Sequence, residues 1–490
     1  MKNMITKELF LKLNRCSRAA YLNAKNPELV DDSKLYLTPG STNELSEEFH
    51  KILLPGIPTI KGGDLQEMEA RTSEICSKKR YAIKNAVFIT KDNEVAIINC
   101  IQKGGKVSIW EFNTTSTEIY HDDFLAAAYQ YYVLAKCGIQ VDNFQIVRLN
   151  PKFVNQGNYN DLYDCADAIR KCRLFNDDVK NDLGYLKKVL NYNSQPIVQL
   201  GYQCFEPFQC EFHRTCFNEV KPGSVFELNN ITYKQKIRAH GVNADLKNIP
   251  KWLKLSPEDD VQVEAAVTGE SVIRKEYLSR FLEKLNGKRL IFLDLLTVRI
   301  ALPSFINTKP FSLLPYHFAL RRNINDTNVE EHFTINTRGK YDTRKELIDY
   351  FISRMGAFPD AKIIVWNADS FKSHLTDFNA WYPEYSDAID SIKARTVGLM
   401  KVFKENLYYD SKFRGRTDLW TVAKTIAPEV NKKDLIVVTK RQAQETYYKI
   451  KCGNTKSITT HKVLLNAYST FEASAMQSIV QFLKEKVNHK

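Results

Sequence analysis

RLIFLDLLT, residues Arg289–Thr297, is an apolar run broken by a single acid, Asp294. Such a run predicts a strand buried in the middle of a sheet. A lone carboxylate at its end costs free energy unless it is paired or liganded, so Asp294 is the first candidate functional residue. Downstream, the pattern predicts strands at Tyr316–Arg321 and His332–Ile335, a helix at Arg344–Met355, a strand at Lys362–Trp366 and a final helix from about Lys462 to Lys486. Strands alternating with helices make this an α/β unit. Upstream, Pro222-Gly223 opens a mixed connector with a helical piece at Ile273–Leu285.

The first part of the chain predicts a second α/β layer. Thr6 is placed to cap a helix over Ile5–Ala24, and residues 30–75 are polar, with turns at Pro39-Gly40 and Pro55-Gly56 and a loose helix over Asn43–Leu53. Three strands follow, Tyr81–Thr90, Glu94–Ile101 and Lys106–Asn113, separated by Lys91-Asp92-Asn93 and Gly104-Gly105. That is the signature of a meander. A helix over Phe124–Cys137 ends at Gly138, a strand returns at Phe144–Leu149, and residues 160–195 are polar and helical in pattern. The expected organisation is a domain at 1–222, a helical connector at 223–286 and a second domain at 287–490.

At 490 residues the chain exceeds what one core usually serves, and its 43% hydrophobic and 26% charged content excludes a mainly disordered or fibrous protein. No apolar run reaches the roughly 18 residues of a membrane span. Glu8 and Lys12 interrupt the place where a signal peptide needs its apolar core. The expectation is a soluble cytoplasmic chain without a membrane partner, in which ten cysteines are thiols or metal ligands. The net charge of +13 is unevenly spread: residues 1–220 carry 27 basic against 27 acidic side chains, and 391–460 alone carry 15 against 6. A charge confined to one region points to an acidic partner, nucleic acid first.

Three constellations could carry chemistry. YQCFEPFQCEFHRTC spaces Cys204, Cys210 and Cys216 five residues apart, with Cys16 far upstream. Thiolates suit an iron–sulfur cluster or zinc, with His213 as an alternative fourth ligand. In the meander, a metal-dependent nuclease site of the PD-(D/E)XK type needs an acid on one strand and Glu-x-Lys on the next. AIINC and SIWEFNTT instead present Asn99 and then Glu111 and Asn113. In the second unit, a DEDD-type exonuclease needs Asp-x-Glu, a later Asn-x-x-Phe-Asp-like element and Tyr-x-x-x-Asp, to hold two metal ions. Here stand Asp294 with Leu296, then Asn367, Asp369 and Lys372, then Tyr468 and Glu472. Asn brings no negative charge to Mg²⁺ and takes no proton from water, so neither centre is a normal metal site.

Together these features resemble a bacterial family, domain-of-unknown-function family 2779. ITKELFLKLNRCSRAAYLNAKNPEL, HDDFLAAAYQYYVLAKCGIQV, LNPKFVNQG, FLDLLT, PFSLLPYHFAL, FRGRTDLWTVAKTIAP and LLNAYSTFEASAM carry the likeness in order. The resemblance implies an α/β chain of two domains. The first is a RecB-like PD-(D/E)XK nuclease fold with a mixed sheet and a four-cysteine iron–sulfur cluster, [4Fe–4S], on Cys16, Cys204, Cys210 and Cys216. The second is a DnaQ-like, RNase H-like exonuclease sheet. Glu111, Gln130, Asp294, Asn367 and Tyr468 match the family pattern. Asn85, Asn99, Asn113, Leu296, Lys372 and Glu472 depart from it, which implies degenerate centres.

The expected function is therefore nucleic-acid binding by a pseudoenzyme of nuclease ancestry, in DNA or RNA processing or repair. Lys401, Lys404, Arg414, Arg416, Lys432, Lys433, Lys440 and Arg441 would contact phosphates, and Tyr408, Tyr409, Phe413, Trp420, Tyr447 and Tyr448 would offer rings to the bases of a single strand. The alternatives are a residual 3′–5′ exonuclease using Asp294, Asp369 and Glu472 with Mg²⁺ or Mn²⁺, and an iron–sulfur adaptor for a protein partner.

Overall fold

Thr6 starts the first helix, its Oγ1 accepting the Leu9 N–H at 3.3 Å. The helix does not run through to Ala24. It ends as α1 (Lys7–Arg15), and α2 (Ser17–Lys25) begins one residue later. Cys16 between them is extended, with φ −167° and ψ 125°. Both helices bury an apolar face, so the periodicity passes over a one-residue break. The computed structural model describes residues 4–31, 56–113, 116–324, 327–335, 342–452 and 455–488. The helix expected over Asn43–Leu53 lies outside them. Among the described residues no helix is long and apolar enough to cross a membrane.

The mixed α/β class expected from the sequence is what forms, and the chain divides into two compact units. The first is built from described residues within 1–215 together with Ile300–Ser312. The second holds Cys216–Arg299 and the described residues of Leu313–Lys490. Residues 223–286, read from the sequence as a connector, thus lie within the second unit.

In the first unit α3 (Leu65–Cys76) precedes the meander β1 (Tyr81–Ile89), β2 (Val95–Lys103) and β3 (Val107–Phe112). Helix α4 (His121–Lys136) crosses over to β4 (Asn143–Leu149), which runs parallel to β3. An antiparallel fifth strand, β5 (Tyr163–Asp167), closes the order β1-β2-β3-β4-β5 and is followed by α5 (Ile169–Leu174) and α6 (Asn176–Leu190). Strand β5 corrects the purely helical pattern expected for 160–195. It is an edge strand with no buried residue, so it lacks the alternation that marks a strand in sequence.

The core of this unit joins Leu9, Phe10 and Leu13 of α1 to Ile83, Ile98, Ile109 and Phe144 of the sheet. Tyr129 of α4 stacks on Phe10 at 5.1 Å and donates its hydroxyl to the Ile5 carbonyl at 2.5 Å. Each such buried aromatic or leucine contributes about 1.5–3 kcal/mol.

In the second unit α7 (Tyr233–Gly241), α8 (Pro257–Thr268), β6 (Val272–Ile273) and α9 (Lys275–Glu283) lead into β7 (Leu290–Arg299). Strand β7 is the expected buried strand, and β8 (Leu313–Ile324) and β9 (Thr327–Thr334) follow it antiparallel. Both are longer than the sequence pattern suggested. After α10 (Arg344–Gly356) come β10 (Lys362–Val365), α11 (Ala368–Trp381), α12 (Ser386–Arg395) and β11 (Thr396–Gly398). Strands β10 and β11 run parallel, β10 beside β7, giving the order β11-β10-β7-β8-β9. Then α13 (Met400–Lys404), β12 (Tyr408–Tyr409), α14 (Leu419–Ile426), α15 (Lys440–Cys452) and the 34-residue α16 (Thr455–Asn488) complete the unit. Helix α16 shares a core with β7 and α14 through Phe292, Val422, Phe471 and Ile479.

Candidate functional site

Strand β7 brings Asp294 opposite Ala319 of β8, and α16 brings Tyr468, Ser469 and Glu472 against it. Tyr468 and Glu472 are one turn apart and so share a face. Ser469 Oγ donates to Asp294 Oδ2 at 2.8 Å. The Asp294 carboxyl is pushed up to about 7, first by burial and then by the charge of Glu472, against the pull of Lys440, Ser469 and Lys432. Burial also drives the Tyr468 and Tyr316 hydroxyls well above their ordinary range. Among the described residues the Tyr316 hydroxyl has no hydrogen-bond partner, and its ring stacks on Tyr447 at 4.4 Å.

Into this group comes Lys432. Its Nζ lies 3.7 Å from Glu472 Oε1 and donates to the Val438 carbonyl at 2.7 Å. The rings of Phe471, Trp420 and Tyr468 surround it, with centroids at 5.0, 5.1 and 5.5 Å. Burial lowers its pKa, while Glu472 acts to hold it up. The ammonium thus supplies to Glu472 the positive charge a metal ion would bring.

The other expected members of this centre do not join it as ligands. Leu296, on the same face of β7 as Asp294, is 3% exposed and fills its place with hydrocarbon. Asn367 uses its side-chain oxygen to cap α11, accepting the N–H groups of Asp369 and Ser370, each at 3.1 Å. Asp369 is exposed in the first turn of that helix, and Lys372 is half-buried one turn on.

The first unit has a parallel arrangement. Glu111 on β3 is buried, and Lys7 of α1 donates to its Oε1 at 2.6 Å. Burial works to lower the Lys7 pKa, yet Glu111 outweighs it and the net shift is upward. The Asn99 N–H donates to Glu111 Oε2 at 3.3 Å, and Asn99 Oδ1 accepts the Phe112 N–H at 2.9 Å. Asn113 donates to the Glu118 carbonyl and to Asp123 Oδ2, at 2.9 and 3.2 Å. Gln130 donates to the Ile97 carbonyl at 3.1 Å, and its own oxygen is buried without a partner among the described residues. Asn85 takes a left-handed φ of 55° within β1, a conformation Asn tolerates better than most residues.

Cys16, Cys204 and Cys210 lie near enough for their charges to act on one another, and burial pushes the Cys204 and Cys210 thiols up. Among the described residues, no group of three or more His, Cys, Asp or Glu is arranged to hold a metal ion. Helix α1 is held to the cysteine loop by other residues. Arg15 Nε donates to the Gln203 carbonyl at 2.7 Å and Lys12 pairs with Glu211.

The basic stretch divides. Lys404, Arg416, Lys433 and Lys440 are exposed. Lys401 pairs with Glu405 at 3.5 Å, Arg441 with Glu445 at 3.1 Å and Arg414 with buried Glu227 at 3.1 Å. Tyr408, Tyr409, Phe413 and Tyr447 belong to the core, which corrects the expectation that they face bases. Their alternation with basic residues reflects core and surface positions of short elements. Ser469, Lys7 and the caging role of Lys432 were not foreseen. Each depends on a partner brought from far along the chain, 175 residues away in the case of Ser469.

Residues 291–418 match the family described as a domain of unknown function, DUF2779. The match takes in Asp294, Asn367 and Asp369 and stops short of Lys432, Tyr468 and Glu472. No curated protein and no solved structure matches the chain.

Proposed function

We propose that this chain binds nucleic acid as a protein of nuclease ancestry whose centres no longer cleave. The observation that carries this reading is Lys432, an ammonium held by three rings beside Glu472 and acting on Asp294. A two-metal centre needs several ionised carboxylates around an open position. This one has two, with a cation of the protein's own beside them. Lys7 on Glu111 repeats the arrangement in the first unit. The strand order of the second sheet, in which the strand first in the chain is central and only the second runs against it, supports its RNase H-like ancestry. The excess of basic residues beyond 220 supports a polyanionic partner.

The test is an oligonucleotide titration run beside a cleavage assay. Labelled single strands of DNA and RNA should bind, with affinity falling steeply between about 50 and 200 mM salt as counterions are released. They should remain uncut in Mg²⁺ or Mn²⁺. Absence of binding, or binding indifferent to salt, refutes the proposal. Cleavage that disappears in Asp294→Ala would make the chain a residual exonuclease instead, a reading that the meeting of Asp294 with Glu472 favours.

A further inference from the structure

Of the rings in the basic stretch, Tyr408, Tyr409, Phe413 and Tyr447 are in the core and Trp420 and Tyr448 are half-buried, so a more exposed stacking surface is needed if the partner is a single strand. Residues 221–256 carry seven Lys and Arg against two carboxylates. One of these, Glu227, is buried against Arg414. Lys234, Arg238, Lys247, Lys251 and Lys254 are all exposed, and none takes part in an ion pair among the described residues. Lys234 and Arg238 are four apart on α7 and so share a face.

Aromatic surface sits among these charges. Trp252 is 38% exposed and Tyr233 43% exposed. The Arg238 guanidinium lies 4.2 Å from the Trp252 ring centroid, and Lys236 Nζ lies 5.6 Å from that of Tyr233. A guanidinium stacked on a ring holds the ring in place, so Trp252 is presented in a fixed pose. The backing is a small core of its own. Ala239 and Leu253, next in sequence to Arg238 and Trp252, are both buried in one cluster with Leu228, Ile231 and Leu246. Thr232 caps α7 with a reciprocal Gln235 bond, which fixes the end from which Tyr233 and Lys234 project. Cations for phosphates, an exposed indole for a base and a rigid support are the parts a single-strand platform requires.

We infer that α7 and the segment Lys247–Lys254 form a binding face for single-stranded nucleic acid, with a base stacking on Trp252 and the surrounding cations on phosphates. This rests on the proposed function and says where on the second unit the strand lies.

The experiment uses the full chain with a labelled oligothymidylate of about 20 nucleotides. Affinity is followed by anisotropy and stacking by quenching of tryptophan emission. Trp252→Ala should weaken binding about tenfold, and Trp252→Phe should keep most of the affinity while losing the quench. Arg238→Ala with Lys251→Ala should lower the slope of log affinity against log salt by about 1.4. Lys180→Ala with Lys188→Ala, an equal loss of charge on α6, should bind as the parent does. Unchanged circular dichroism and melting establish that the variants fold. If the Trp252 and Arg238/Lys251 variants bind as the parent does while Lys404→Ala with Lys433→Ala weakens binding, this face is wrong and the proposed function stands. If the parent does not bind at all, both fall. Polyglutamate binding with equal affinity and equal loss in Trp252→Ala would also overturn the inference, since that polymer has no base to stack.

Discussion

The Ser469 hydroxyl donates to Asp294 across 2.8 Å, tying α16 to the central strand β7. One side of the carboxyl is satisfied by this bond, while Glu472 crowds it electrostatically and pushes its pKa up. Lys432, 3.7 Å from Glu472, relieves that crowding. The four residues act as one set, and its members respond differently to pH, charge removal and metal.

Asp294 should give a measurable pH dependence. Its pKa rises from 3.8 to about 7 on folding, so the folded chain holds a proton that the unfolded chain releases. Stability from this group is full below about 3.8 and is lost as pH climbs to about 7. Asp294→Asn stays uncharged throughout. Urea midpoints across pH 4–8 should therefore decline less steeply with rising pH in the variant than in the parent.

Lys432→Met keeps the stem that packs between the rings and removes the charge. Glu472 is then left without its ion-pair partner and Asp294 with Lys440 alone, and the variant should lose about 1–3 kcal/mol at neutral pH. Mn²⁺ should now bind, visible by electron paramagnetic resonance, and should raise the melting temperature of the variant but not of the parent. A variant that ignores Mn²⁺ would show that Lys432 is not what keeps the ion out.

Lys7 and Glu111 should be coupled. Lys7→Met leaves the Glu111 charge only 9% exposed and Glu111→Gln leaves the Lys7 charge 28% exposed, a loss of about 1–3 kcal/mol each. The double variant should be less destabilised than the sum of the two, by at least about 1 kcal/mol. Strict additivity in chemical denaturation would mean that the pair contributes nothing.

Gly415 should tolerate no side chain. Its φ is +71°, and a Cβ there would fall 2.1 Å from the Glu227 carbonyl oxygen, a backbone atom that cannot swing aside. Gly415→Ala should lower stability by about 2 kcal/mol or more. Because Arg414 beside it pairs with Glu227, oligonucleotide affinity measured alongside would tell a local rearrangement from simple loss of fold.

Strand β7 was legible because its apolar run is dense, and the meander because its turns carry Asn, Asp and Gly. The break at Cys16 was hidden by two helices that bury similar faces. Strand β5 was hidden because an edge strand has little to alternate. Helix α11 went unseen because its start depends on the Asn367 cap. Asp294, Tyr468 and Glu472 were legible as a set, since their chemistry is unusual where it stands. In the sequence Lys432 is indistinguishable from the other cations of the basic stretch expected to contact phosphates. Whether a lysine faces solvent or sits between Trp420 and Phe471 depends on which elements the fold brings around it, and spacing in the chain carries no record of that.

Residues Ile300–Ser312 belong with the first unit, where Ala301 packs with Leu149, Phe153 and Leu162 and the Asn155 side chain donates to the Pro303 carbonyl at 2.6 Å. The flanking strands β7 and β8 belong to the second. The order of synthesis then differs from the order of completion. A ribosome that has released residue 215 has not yet made everything the first unit contains, and by the time Ser312 emerges β7 is already out. The early unit must wait, with Leu149 and Phe153 short of one partner, while nearly a hundred residues of the later unit are made. Only when Ala301 has emerged can that cluster close.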